Sequence, residues 1–379
     1  MSALYTLRRV TLAVLVLALN IAPLAAAIAS DIKVGLVLDQ AGIEADSARD
    51  YIAGARTWFD HVNANGGVKG RRIELIVRDD DGKPARAVTV TRELLDQEKV
   101  AALFGYVGDV SLKAVSEHAY FRASKTVLFA PLSGAEIGTG RDAIIFLRPS
   151  YKDEVRYAIA HFAQLSVSRF AVVYADNNFG RSLDSEIRTQ LMTGKRRPVV
   201  EIAIPISLNN IGHIARTVLS ENPQVIIVAA DTLATAQFVK QVRSQNVGAQ
   251  IVALSTVNHR TLMEVAKADF AVGTMITQVV PNPLAHSTKL QNDHLALLGK
   301  YRDEPPSHLT LEGFLAAKAF VKLLERANSD MTRASIFAAS VGAARYDLDG
   351  MALSFGGASD RGSRYVDIAY LRSSGKLLQ

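Results

Sequence analysis

The sequence predicts an α/β protein of two Rossmann-like lobes, each built on a parallel sheet. Three observations carry that prediction. Short apolar runs alternate with segments of helical periodicity along the chain, the pattern of strands joined by crossover helices. The chain has 379 residues, and about 350 after removal of a leader, which exceeds the comfortable size of one core. A connector with two prolines, Val279-Val280-Pro281-Asn282-Pro283, interrupts the alternation without helical pattern. Proline fixes its own backbone and restricts the residue before it, as a crossing between lobes requires.

The first segment reads as a leader. Arg8 and Arg9 precede an apolar run over residues 10–19, too short to span a bilayer comfortably, and Ala25-Ala26-Ala27 and Ala27-Ile28-Ala29 fit a small-x-small cleavage rule. A signal peptide over residues 1–29 is therefore expected. The chain has no cysteine, which excludes a lipoprotein anchor, disulfides and thiolate metal sites. The net charge of +6 falls to +4 without Arg8 and Arg9, and Lys195-Arg196-Arg197 is the one tight basic run. That charge is too mild and scattered to suggest nucleic-acid binding.

Residues 31–38 read as the first strand. Only Gly42 stands where a dinucleotide fingerprint would place three glycines, so a nucleotide site is not expected. Ile52, Ala55, Phe59 and Val62 share one face of a helix, and the glycines of residues 63–70 stop it. Ile73, Leu75 and Val77 alternate as a strand, and Asp79-Asp80-Asp81-Gly82 reads as a solvated exit turn. Pro84 suits the first turn of the next helix, and residues 100–104 form a short buried strand. A helix over residues 110–123 and a strand over 126–130 follow. Arg148-Pro149-Ser150-Tyr151 then reads as the exit from the first lobe. Strands at 170–175, 199–204, 225–229, 250–254 and 273–278, with helices between them, repeat the scheme. Helices at 286–301, 308–326 and 332–341 return to the first lobe, and residues 351–355 and 365–371 read as a closing hairpin. With the crossing of the last segment to the second lobe that the family resemblance given next implies, the expected lobes are residues 30–149 with 281–345, and 150–280 with 346–379.

The ordered string over residues 53–105, from Ala53-Gly54-Ala55-Arg56 to Ala102-Leu103-Phe104-Gly105, resembles the opening lobe of type I periplasmic ligand-binding proteins. It is most similar to the branched-chain amino acid/amide receptors of ABC importers, the leucine-binding-protein-like group. Thr310-Leu311-Glu312-Gly313-Phe314 resembles a matching helix of that family. The resemblance implies a three-segment hinge, a small-molecule ligand held between the lobes, a membrane permease as partner, a monomer and a periplasmic location. It implies no cofactor, no metal and no catalytic residue.

Carried over by position, the resemblance also implies a ligand site. A family hydroxyl that meets the ligand carboxylate corresponds to Asp109. A backbone group and the hydroxyl two residues later correspond to Leu132 and Gly134, with Ser133 between them. A first-loop aromatic corresponds to Ser47, a tyrosine of the second lobe to Phe179, another aromatic to Asp231, and the acid that pairs with an ammonium to Ser255. Asp109 places negative charge where a carboxylate should sit, which is costly. Asp109 and Asp231 are thus expected either to face a cationic or amide-rich ligand from opposite lobes or to cap the helices that follow them. Tyr106, Tyr151 and Phe179 are expected either as aromatic walls for an apolar or aromatic ligand or as ordinary packing residues.

Other chemistries have little support in the residues. The eight histidines lack metal-ligand spacing, and no Gly-x-Ser-x-Gly accompanies Ser133. A solute-binding receptor is the expectation, with a sensory receptor and a periplasmic enzyme on the same cleft as alternatives.

Overall fold

A computed structural model describes residues 30–42, 44–137, 143–245, 248–342, 344–355 and 361–379, so the expected leader lies outside the described residues. The described residues form two open, mostly parallel sheets and a small two-stranded antiparallel one. The first has the order β2-β1-β3-β4-β5, from β1 (Ile32–Leu38), β2 (Ile73–Asp79), β3 (Ala102–Phe104), β4 (Leu128–Phe129) and β5 (Ile144–Ile145). The second uses β6 (Phe170–Ala175), β7 (Val200–Ile204), β8 (Val225–Ala229), β9 (Gln250–Ala253) and β10 (Thr274–Gln278). After the hairpin of β11 (Ala344–Asp347) and β12 (Ala352–Phe355), β13 (Asp367–Leu371) and β14 (Leu377–Leu378) complete the second sheet, whose order is β14-β13-β10-β9-β8-β6-β7.

Both faces of each sheet are covered, which explains why central strands such as β1, β6 and β8 are apolar runs, while the edge strands β2 and β7 carry charged residues. Val34, Leu36, Phe104 and Phe129 pack on one face of the first sheet against Phe314 and Phe320 of the His308–Arg326 helix. Val37, Leu103 and Leu128 pack on the other face with Leu94 of the Pro84–Asp96 helix. The second sheet is likewise sandwiched, with Val173 and Val228 on one face and Val172 and Ile227 on the other.

The Ala45–Ala64 and His308–Arg326 helices cross at unusually close range. A Cβ on Gly54 would lie 1.8 Å from the Thr310 carbonyl oxygen, and one on Gly313 would lie 1.8 Å from that of Tyr51. Two glycines facing each other's helix backbone let this pair lie flush against the sheet.

Strand order reverses at β1/β3 in the first sheet and β6/β8 in the second. Such reversals open a crevice beyond the carboxyl ends of the strands. The chain passes between sheets after β5, after β10 and before β13, giving the three hinge segments expected.

Three local readings differ. The helix expected over residues 110–123 is two, Asp109–Glu117 and Ala119–Ser124, broken at His118, whose extended backbone lets its ring accept from the Tyr120 N–H. The closing hairpin is not formed by residues 351–355 with 365–371. β12 pairs with β11, while β13 pairs antiparallel with β10. Asp349 and Gly350, both at positive φ, turn β11 into β12, and Leu348, Met351 and Leu353 enter the core of the first lobe. The hairpin thus falls on the other side of the expected boundary at residue 346. Finally, Asp80 of the acidic turn is buried rather than solvated and accepts from the Gly82 N–H.

Candidate functional site

The loops at the strand ends bring the two lobes face to face. From the first lobe come Glu44 and Ser47 after β1, Asp109 after β3 and Ser133 after β4. From the second come Phe179 after β6, Asp231 after β8 and Ser255 after β9. Direct hydrogen bonds cross the cleft. Ser47 Oγ donates to the Thr256 carbonyl at 3.3 Å, Thr261 Oγ1 donates to Asp46 at 2.7 Å, and Arg260 pairs with buried Asp50, which also accepts from Ser307 at 2.8 Å.

At the hinge end lies a buried charge cluster. Arg148, 1% exposed, donates through Nη2 to Ser255 Oγ. The same nitrogen lies 3.5 Å from Glu154 Oε1, and Nε lies 3.6 Å from Glu312 Oε1. Glu154 accepts from both the backbone N–H and the Oγ of Ser255, each at 2.9 Å, and from Thr277 Oγ1. Glu312 belongs to the first lobe and Glu154 to the second, so the guanidinium ties both to the hinge. Burial works against the charge of Arg148, but Glu312 and Glu154 outweigh it and raise its pKa. Arg148 Nη1 is buried without a hydrogen-bond partner.

At the other end Asp109 and Ser133 form a unit. Ser133 Oγ donates to Asp109 Oδ1 at 2.5 Å, and the Tyr151 hydroxyl reaches the same oxygen at 3.5 Å. Burial raises the Asp109 pKa, against the lowering effect of these two donors. The helix cap before Asp109 is Gly108, without a side-chain cap bond, so the capping alternative does not hold at Asp109. It does hold at Asp231, whose Oδ1 accepts from the Ala234 N–H at 2.9 Å and whose charge helps to raise the Glu44 pKa.

The Tyr151 ring meets Phe179 edge-on, with centroids 4.9 Å apart, and forms the wall between Asp109 and Arg148. Gly134 packs against this ring so closely that a Cβ there would lie 2.6 Å from it. Arg361, from the third crossing, donates to the carbonyls of Ala135 at 2.6 Å and Arg148 at 3.2 Å, and so fixes the Ser133–Gly134 loop.

Two expected contacts take other places. Tyr106 is no cleft wall: it packs in the far core of the first sheet and bonds Thr91 Oγ1 at 2.8 Å. Gly105, at φ +63°, breaks the strand alternation and sends Tyr106 to the face opposite Phe104. The Leu132 side chain belongs to the core, and its N–H is used by the Tyr106 carbonyl at 2.8 Å. Arg148, Glu154, Glu312, Glu44 and Arg361 were not anticipated. Their one sequence signal is charge at the edge of apolar segments.

A family model described as periplasmic binding protein matches residues 31–376. An amino acid binding protein of Pseudomonas aeruginosa is 27% identical over 165 residues, 43% of this chain and 44% of that protein. A Leu/Ile/Val-binding protein of Rhizobium johnstonii is 24% identical over 330 residues, 86% of each chain. The crystal structure of a substrate-binding periplasmic protein from Ralstonia solanacearum superposes with a TM-score of 0.83 at 27% identity, covering 92% of this chain and 100% of that one. Because the family model spans nearly the whole chain, the chain belongs to the periplasmic binding protein family, on the type I fold of its Leu/Ile/Val-binding relatives.

Proposed function

We propose that this chain is the periplasmic solute receptor of an ABC importer, capturing a small amino-acid-like or amide-like molecule between its lobes and presenting the closed form to a membrane permease. The observation that carries this reading is the convergence of strand-end loops from both lobes on one cleft, with Arg148 salt-linked to each lobe at its hinge end. A ligand touching both lobes stabilises the closed form by its differential affinity for that form, so binding and closure are one equilibrium. The ligand-facing groups on this reading are Asp109, Ser133, Gly134, Tyr151, Phe179, Asp231 and Ser255, with Ser47 joining the lobes at the rim. Residues 1–29 act as a cleaved signal peptide, and the receptor works as a monomer without chemical turnover.

The test is a thermal-shift and calorimetric screen of the protein without residues 1–29, followed by recovery of the bound compound. A concentration-dependent rise in melting temperature with unchanged ligand is expected, since a molecule that binds only the folded form stabilises it. Recovery of an altered compound would favour an enzyme. Normal growth on the ligand after deletion of the gene would remove the transport role.

A further inference from the structure

Several basic residues of the second lobe are scattered along the chain, and the fold gathers them. The amino ends of the parallel strands lie together at the base of the lobe, opposite the carboxyl ends that meet the first lobe. Backbone hydrogen bonds set the turns entering these strands side by side. The Val199 N–H donates to the Phe170 carbonyl at 2.7 Å, joining the turn before β7 to the one before β6. The Gln224 N–H donates to the Arg169 carbonyl at 2.9 Å and adds the turn before β8. β13 runs antiparallel to β10, so its end returns to the same base, where the Gly273 N–H donates to the Leu371 carbonyl at 2.9 Å. With neighbouring strands about 4.8 Å apart, the row from β7 to β13 spans only about 24 Å.

On these turns Arg169, Lys195, Arg197, Lys267, Arg372 and Lys376 are exposed, and none forms an ion pair among the described residues. Arg169 donates to the Asn222 carbonyl at 2.9 Å, which leaves its charge uncompensated. The exposed acids on or beside the same turns are Glu221, Glu264 and Asp269, so the base is positive. Two apolar side chains mark one corner of it. Leu165 is 63% exposed and Met192 54%. They stand at the ends of the Tyr151–Gln164 and Asn178–Thr193 helices, which share a core through Phe162 and Leu191. Arg196 Nε donates to the Val167 carbonyl at 3.2 Å and holds the two helix ends together, beside Lys195 and Arg197.

We propose that the base of the second lobe rests on an anionic phospholipid surface, its cations against the lipid phosphates and Leu165 and Met192 entering the interface. Charge complementarity is the first argument. Basic side chains near an anionic leaflet are each attracted to it, within a Debye length of about 10 Å at 0.1 M salt. The exposed apolar pair is the second and is independent of charge. Nucleic acid would engage the cations and leave Leu165 and Met192 in water, whereas the boundary between headgroups and acyl chains takes both kinds of side chain. The cleft lies at the other end of the sheet, so this contact goes beyond the solute reading and does not depend on it.

Residues 30–379 contain every element described above and lack the apolar leader, which would bind lipid itself. They are expected to co-sediment with vesicles of phosphatidylglycerol and phosphatidylcholine, weakly with phosphatidylcholine alone, and less as salt rises. Lys195→Glu with Arg197→Glu is expected to weaken binding about tenfold or more. Leu165→Ser with Met192→Ser is expected to weaken it about fivefold and to leave the salt dependence unchanged. Lys83→Glu with Arg86→Glu makes the same charge change on an exposed turn of the first lobe and is expected to alter binding less than about twofold. Unchanged melting temperatures verify folding. Equal weakening by the two charge variants would mean that binding follows net charge and would overturn the assignment. Absence of binding to the anionic vesicles would also overturn it. Unchanged binding of the Leu165–Met192 variant, or retention on double-stranded DNA in place of vesicles, would overturn the choice of a membrane.

Discussion

Glu44 offers the most direct readout of the cleft at the scale of a single residue. Its carboxyl is raised from 4.5 to about 8 by burial first, and then by Asp109, Asp231 and Asp39. The folded protein thus holds a proton that the unfolded chain releases, and stability falls with pH wherever the folded state binds more protons. The contribution of Glu44 is full below pH 4.5 and is lost as pH rises to about 8. Glu44→Gln is expected to flatten that decline in the melting temperature of the ligand-free protein, measured from pH 5 to 9. An unchanged profile would mean that Glu44 ionises freely. Loop position at a strand end is a sequence property, and together with the family resemblance it singled out Ser133, Gly134, Tyr151, Phe179 and Ser255, which the fold sets at or beside the strand ends where the lobes meet. Tyr106 was misplaced because one glycine at positive φ changes the face of the next side chain. Arg148 was missed because its burial depends on Glu154, Ser255 and Glu312, which only the folded chain brings together.

Secondary-structure elements were read best where apolar runs are long and buried. The His308–Arg326 helix and strands such as β6 and β8 stand where periodicity placed them. The β11–β12 hairpin was not legible, because its short, half-exposed strands carry a weak pattern and its turn residues, Asp349 and Gly350, resemble any loop. At this scale the paired glycines of the helix crossing govern packing. Gly54→Ala or Gly313→Ala drives a methyl group into the facing backbone and is expected to cost about 1–3 kcal/mol, the usual penalty for overpacking. Urea denaturation measures it. Gly299→Ala is the control of opposite sign. A Cβ there meets nothing within 4 Å, and in a helix alanine is favoured over glycine by roughly 0.5–1 kcal/mol.

Considered as a whole molecule, the protein closes partly on itself. The pairs Asp50–Arg260, Asp46–Thr261 and Ser47–Thr256 join the lobes through protein groups alone. Removing one such pair lowers the population of the closed form, and apparent affinity falls with that population whatever the ligand. Arg260→Ala is therefore expected to raise the Kd of every ligand by a common factor while leaving the ratios between ligands unchanged. Calorimetry on two ligands of different affinity checks this, and a change in the ratio would place Arg260 in the recognition surface instead. The same contacts bear on time as well as on affinity. On the proposed function, a captured molecule escapes only after the lobes part, so its residence is governed in part by the rupture of Asp50 from Arg260. That share of the delay belongs to the protein and is the same for weak and tight guests alike.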